Sequence, residues 1–274
     1  MAFTREEDLA FALELATLAD AITLDRYQAL DLLVSTKPDN TPVTDADKAA
    51  ELAIRSEISS KRPDDGIVGE EFGGEVEAQN GSPHSRYWVI DPIDGTKNFL
   101  RGVPTWATLI ALIERHEDGS ESVVVGVVSS PALFRRWHAS HGAGSFVSVN
   151  GARAKKISVS NVSQISDASI SYSDFEGWGD RLKPFQELLK SAWRTRGIGD
   201  FWSHMLVAEG AIDVAIEPSL ALWDMAALDV IVREAGGCFT SITGVDGPHH
   251  GSGLSANAKI HSQILKALNS GTNS

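Results

Sequence analysis

The first apolar positions of the chain recur at helical spacing. Leu9, Leu13, Ala16 and Ala19 fall three or four residues apart with polar residues between them, which predicts an amphipathic helix over residues 4–27. Thr4 followed by Glu7 is a capping-box start. A second helix is predicted over 44–60, stopping before Pro63, with a polar loop over 36–42 between the two. Residues 73–85 are rich in glycine and polar side chains and read as a mobile connection.

The period then shortens. Residues 87–90, 106–114, 122–129, 135–140 and 144–149 are apolar or alternating runs of strand length, and Asn150-Gly151 is a hairpin-turn signal. Beyond it, strands are expected at 168–173 and 212–216 and helices at 203–209 and 224–235, the last closed by Gly236-Gly237. Clustered strands followed by alternating strands and helices predict an α/β fold: an α+β lobe over 1–150 and an α/β lobe over 151–274 of one catalytic unit.

Composition narrows the function. A formal charge of −13 over 274 residues argues against nucleic acid as a partner, because phosphate backbones need a basic surface. A small phosphate ester remains open, since a metal can supply local positive charge. The single cysteine, Cys238, excludes an internal disulfide and reads as a buried small hydrophobe. No apolar stretch reaches membrane-spanning length, and the acidic, charged start is unlike a signal peptide. A cytoplasmic enzyme is expected.

The chemistry concentrates in WVIDPIDGTKN, residues 88–98. An apolar strand runs into Asp91 and Asp94, separated by Pro92 and Ile93 and followed by Gly95. Pro92 lacks a backbone donor, so the strand is expected to end and the chain to turn. Two carboxylates on one rigid turn repel unless a cation lies between them. Such hard oxygen donors suit Mg²⁺, Mn²⁺ or Ca²⁺ better than zinc. Asp, Pro and Gly also build ordinary turns, so further acids matter: Glu70 and Glu71 after Ile67-Val68, Asp45 and Asp47 at a helix start, and Asp224 at another.

The runs VTDAD (43–47), GEE (69–71), DPIDGTKN (91–98) and WDMAALDVIVREAGG (223–237) together resemble the inositol monophosphatase superfamily of metal-dependent phosphatases, in order and spacing. TKPDNTPVTDAD (36–47, with Thr36 where the pattern carries serine), RGVPTWATLIAL (101–112) and RGIGDFWSHMLVAEGAIDVAIEP (196–218) resemble its bacterial histidinol-phosphate phosphatases. The resemblance implies a layered αβαβα sandwich with the site between the lobes, and a homodimer. It implies two or three Mg²⁺, replaceable by Mn²⁺, held by Glu70, Asp91, Asp94, Asp224 and the Ile93 carbonyl. Asp47 and Thr96 would orient the attacking water, with Glu70 beside them. Asp94, Gly95, Thr96, Gly199, Asp200, Glu217 and Asp224 would contact a small phosphorylated metabolite, for which L-histidinol phosphate is the implied substrate.

Other residues invite a role and are set lower. His249-His250 reads as a solvated loop, because adjacent side chains rarely converge on one ion. Asp64-Asp65 reads as a polar turn, and Asp45 as helix N-terminal charge. Trp106, Trp137 and Trp193 read as core, and Trp202, with Phe201, as a wall of the outer pocket. His204 fits burial or a pocket wall equally, Asp200 fits a helix cap as well as a contact, and Lys97 and Arg101 fit solvated surface as well as phosphate contacts. Arg196 with Trp202 keeps a nucleotide 3′,5′-bisphosphate in play beside inositol phosphate. A non-catalytic cation-binding module is the remaining class; it would have no need of the Asp47–Thr96 pair.

Overall fold

The computed structural model describes residues 3–38, 40–75 and 85–270. The chain begins with α1 (Arg5–Arg26), capped by Thr4, whose hydroxyl accepts from the Glu7 N–H while the Glu7 carboxylate accepts from the Thr4 N–H. Two short strands the pattern did not reveal, β1 (Val34–Thr36) and β2 (Pro42–Thr44), pair antiparallel around the polar loop and deliver the chain to α2 (Asp45–Lys61). Then come β3 (Gly66–Gly69), β4 (Gly73–Glu75) and β5 (Arg86–Asp94). Residues 76–84, most of the expected mobile connection, lie outside the described residues.

After the short α3 (Thr96–Leu100) follow β6 (Ala107–Arg115), β7 (Glu121–Ser130), β8 (Arg135–Ser140), β9 (Gly144–Val149) and β10 (Lys155–Lys156). Asn150 and Gly151 both take positive φ in the turn that joins β9 to β10, as their sequence signalled. These strands make an eight-stranded sheet in the order β10-β9-β8-β7-β6-β5-β3-β4, antiparallel except where β3 runs parallel to β5.

The second half supplies β11 (Ser169–Tyr172), α4 (Leu182–Ser191), β12 (Arg194–Gly197), α5 (Asp200–Ala208), β13 (Val214–Glu217), α6 (Leu222–Glu234), β14 (Gly237–Thr240), β15 (Gly253–Asn257) and α7 (His261–Leu268). Its five strands order as β12-β11-β13-β15-β14, with parallel pairs at β11.

Alternation along the central strands builds the layers. Trp88 and Ile90 of β5, with Ile110 and Leu112 of β6, face Phe11, Leu15, Ile54 and Ile58 of α1 and α2. Tyr87 and Val89, with Leu109 and Ala111, face the other way onto Phe201, Met205, Leu228 and Ile231 of α5 and α6. The five-stranded sheet covers those two helices, and Phe185, Leu188, Ile264 and Leu268 of α4 and α7 close its outer face. The order is helix, sheet, helix, sheet, helix, as the resemblance implied.

Trp106 and Trp137 are core, but Trp193 is 68% exposed, on the turn before the edge strand β12. Cys238 is half-buried rather than core, because β14 is the sheet's other edge. Asp65 is more than a turn residue: it accepts from the Trp88 indole N–H at 2.9 Å and lies 3.7 Å from Arg86. Asp45 pairs with Arg26 at 2.8 Å. His249 is exposed and lies 3.3 Å from Glu121, while the His250 ring meets the Asp246 carbonyl at 3.0 Å, so the two imidazoles part.

Candidate active site

Strand β5 does not stop at Asp91. It runs on to Asp94 through an irregularity in its pairing with β6, where Asp91 faces Leu109 and Asp94 faces Ala107. The extra residue is a bulge, which spares Pro92 the ladder donor it lacks and re-aims the side chains on either side of it. The Thr108 hydroxyl donates to the Pro92 carbonyl at 2.8 Å, and the Ile93 N–H to Asp91 Oδ1 at 3.0 Å. The bulge thus turns a strand end into a holder for Asp91 and Asp94.

Helix α6 brings the third acid. Asp224, in its first turn, accepts from the Ala221 N–H at 2.7 Å. One carboxylate oxygen each from Asp91, Asp94 and Asp224 lie within 4.8 Å of one another, the one such acidic group found among the described residues. Asp94 also accepts from the Phe201 N–H at 2.6 Å, which ties the start of α5 to the same point.

Glu70 stands at the edge of this group. Lys37 Nζ lies 2.7 Å from Glu70 Oε1 and 2.7 Å from Glu71 Oε1. Burial alone would lower the Lys37 ammonium, but these two acceptors outweigh it and raise it. The turn carrying Glu70 is pinned from below by Glu51, fully buried on α2, whose carboxylate accepts from the Glu71 N–H at 2.7 Å and from Arg55 Nε at 2.7 Å. A Cβ on Gly69 would fall 2.1 Å from Glu51 Oε1, so the close approach requires glycine there.

Asp47 is both structural and available. Its Oδ2 accepts from the Thr44 N–H at 2.8 Å and the Thr44 hydroxyl at 2.5 Å, completing the capping box of α2. Its Oδ1 faces Thr96 Oγ1 at 3.5 Å, and that hydroxyl also lies 3.1 Å from the Ile93 carbonyl. Gly95 caps α3 at φ +83°, and a Cβ on it would meet the Thr105 carbonyl at 2.9 Å.

On the far side are Gly199, Asp200 and Glu217. Gly199 is the N-cap of α5, which begins three residues earlier than its apolar spacing predicted. Asp200 is the first residue of α5 rather than its cap, and its Oδ2 accepts from Asn98 Nδ2 at 3.0 Å. Glu217 is 3% exposed, with one oxygen taken by the Ser173 hydroxyl and Oε1 buried without a partner.

The outer aromatic residues are not a free platform. Phe201 is core, edge-on to Trp137, because the first turn of α5 points it at the large sheet. Trp202 packs against the same core, its indole N–H buried and unpartnered. His204 is buried, its Nδ1 2.6 Å from the Ser255 hydroxyl, and desolvation pushes it down to about 3. Lys97, Arg101 and Arg196 are exposed.

The electrostatics fit a cation-binding site. Burial first, and then the charges of Glu70, Asp94 and Asp224, raise Asp91 well above the usual range; burial and the charges of Asp200 and Asp224 do the same to Asp94. Burial raises Asp47, Asp224 and Asp200 to about 6 and Glu217 to about 8. Converging carboxylates that resist ionisation because of burial first and of one another second are a hard-donor set that a divalent cation would satisfy.

Lys37, Glu51, Asn98 and Ser173 escaped the sequence reading. Each contacts a predicted residue from a different element, so spacing along the chain carries no trace of it. Lys37 and Asn98 do lie inside the runs 36–47 and 91–98 that carry the resemblance, and that was the available hint.

Comparison with known proteins agrees with the fold. Residues 4–272 match the inositol monophosphatase family. The chain is 52% identical to a histidinol-phosphatase of Mycobacterium tuberculosis, covering 97% of this chain and 99% of that one. It is 53% identical to a histidinol-phosphatase of Streptomyces coelicolor, covering 96% and 97%. Among solved structures, the extragenic suppressor protein suhB of Bartonella henselae superposes with a TM-score of 0.84 at 28% identity, covering 97% of this chain and 100% of that one. A Thermotoga maritima IMPase gives 0.82 at 28%, covering 96% and 97%. The chain belongs to the inositol monophosphatase family.

Proposed function

We propose that this chain hydrolyses L-histidinol phosphate to L-histidinol and phosphate, with Mg²⁺ as cofactor. Family membership and the two histidinol-phosphatase relatives, each matched over nearly its whole length, make it a phosphatase. The observation that carries the chemistry is the convergence of Asp91, Asp94 and Asp224 from a strand bulge and a helix start. With Glu70 and the Ile93 carbonyl, these would hold two or three Mg²⁺, with Mn²⁺ as a substitute. Bound metal neutralises phosphoryl oxygens, lowers the pKa of water and stabilises the leaving alkoxide.

The chain's own groups do the rest. Asp47 Oδ1 and Thr96 Oγ1, 3.5 Å apart, form a pair that can hold a water and accept its proton. The N–H groups of Gly95 and Thr96 offer donors to a phosphate oxygen. Asp200 and Glu217 place anionic or hydrogen-bonding oxygens at the outer side, where the ammonium and imidazole of histidinol would lie. Glu217, with Oε1 unpartnered, is matched to a donor arriving with the substrate. We read the two lobes as one catalytic unit, cytoplasmic and homodimeric.

The test is phosphate release with Mg²⁺ from histidinol phosphate, inositol 1-phosphate and adenosine 3′,5′-bisphosphate. kcat/KM for histidinol phosphate should exceed the others by at least about tenfold, or about 1.4 kcal/mol of transition-state binding. Equal turnover of inositol 1-phosphate or the bisphosphate would defeat the substrate assignment and leave the metal chemistry standing.

A further inference from the structure

We propose that Asn98 is a positioning residue that holds the Asp200 carboxylate in the outer pocket, and so sets the preference for a phosphate ester that carries an ammonium group. This rests on the histidinol phosphate reading above.

The side-chain amide of Asn98 donates to the Thr105 carbonyl at 3.0 Å and to Asp200 Oδ2 at 3.0 Å. Both partners are acceptors, and an NH₂ group with two hydrogens serves both at once. Asp200 needs such an anchor. It sits at φ +52°, a region that side-chain-bearing residues rarely adopt, as the first residue of α5 after the N-cap Gly199. Its charge is felt by Asp94, Asp224 and Glu217, so repulsion would move a loose carboxylate away. Lys97 offsets part of this from an exposed position, without a hydrogen bond to fix direction.

The consequence is geometric. Asn98 lies in α3, the same five-residue turn that Gly95 caps and Thr96 opens. One rigid turn therefore carries the donors proposed for the phosphate and the anchor of the carboxylate proposed for the ammonium. The separation between the two ends of an acceptable substrate would be set by this turn rather than by the longer path through α5. A phosphate ester with no ammonium group makes no use of Asp200 and should be indifferent to its anchor.

The experiment is a double-mutant cycle on the full chain, with kcat and KM measured for histidinol phosphate and for p-nitrophenyl phosphate. Asn98→Ala should lower kcat/KM for histidinol phosphate about tenfold, mainly through KM, the size expected when a charged hydrogen bond is lost. p-Nitrophenyl phosphate turnover should stay within about twofold, and adding Asn98→Ala to Asp200→Ala should cost nothing more. Asn98→Asp, close in volume but with the donor replaced by an acceptor, should lose at least as much and guards against a folding defect in the alanine variant. Equal losses on both esters, or losses that multiply in the double variant, would overturn the inference. Wild-type protein with no preference for histidinol phosphate would defeat the substrate reading and this inference with it. A preference that survives Asn98→Ala would defeat this inference alone.

Discussion

Asp91 is 1% exposed and surrounded by the charges of Glu70, Asp94 and Asp224. Replacing it with Asn removes one charge at the centre of the group while keeping its volume. Asp91→Asn should therefore abolish most Mg²⁺-dependent phosphate release, as excess chelator should in the wild type. Full turnover under either condition would refute the metal assignment. Thr96 plays a different part. Its hydroxyl lies between the Ile93 carbonyl and Asp47, where it can orient water without being a metal ligand. Thr96→Ala should lower kcat by roughly 10²–10⁴-fold, the range for loss of a proton-transfer group, with little change in the Mg²⁺ needed for half-activation. If titration shows metal binding lost and turnover kept, Thr96 has another role.

At the scale of elements, the site is an assembly of ends: the bulged end of β5, the turn after β3, and the first turns of α2, α3, α5 and α6. The turn after β3 depends on Glu51 reaching under Gly69. Gly69→Ala would drive a methyl group into that buried carboxylate. Overpacking of this kind costs about 1–3 kcal/mol, which should lower the melting temperature by roughly 2–12 °C in a chain of this size. The same change should raise the Mg²⁺ requirement, because the shifted turn carries Glu70. An unchanged melting temperature and Mg²⁺ response would show that α2 and β3 can part freely.

For the whole molecule, the buried acids tie stability to pH and to metal. Asp200 and Asp224 hold protons up to about 6 and Glu217 up to about 8 in the folded chain, against roughly 4 in the unfolded one. The folded state thus binds more protons between those limits, and its stability falls as pH rises through that window. Metal binding needs the carboxylates ionised. The rise in melting temperature produced by Mg²⁺ should be small near pH 5 and grow toward pH 8. Residues whose titration is unrelated to metal cancel in that difference, and an increment independent of pH would refute the linkage. The homodimer proposed above should give twice the chain mass by light scattering at micromolar concentration, and a monomer mass would reject it.

The sequence by itself determined the local elements and the cast of acids. Helical and alternating spacing marked α1, α2, β6 to β9 and α6 to within a few residues, because α1 and α2 bury one face and leave a helical period, while β6, β7 and α6 are covered on both sides and leave continuous apolar runs. Asn150-Gly151 marked its turn because only certain residues take positive φ cheaply. Asp47, Glu70, Asp91, Asp94 and Asp224 stood out as acids at element ends within a known arrangement. Tertiary structure alone decided how these ends meet. The bulge that carries β5 past Pro92 depends on its pairing with β6, the start of α5 at Asp200 depends on Asp94 and Asn98, and the burial of Phe201 and His204 depends on which sheet each helix face meets. The same dependence explains Trp193, apolar by type yet exposed on an edge. Lys37, Glu51, Asn98 and Ser173 act across elements far apart in the chain, and a contact between distant residues has no period to be read. It exists only once the layers have packed.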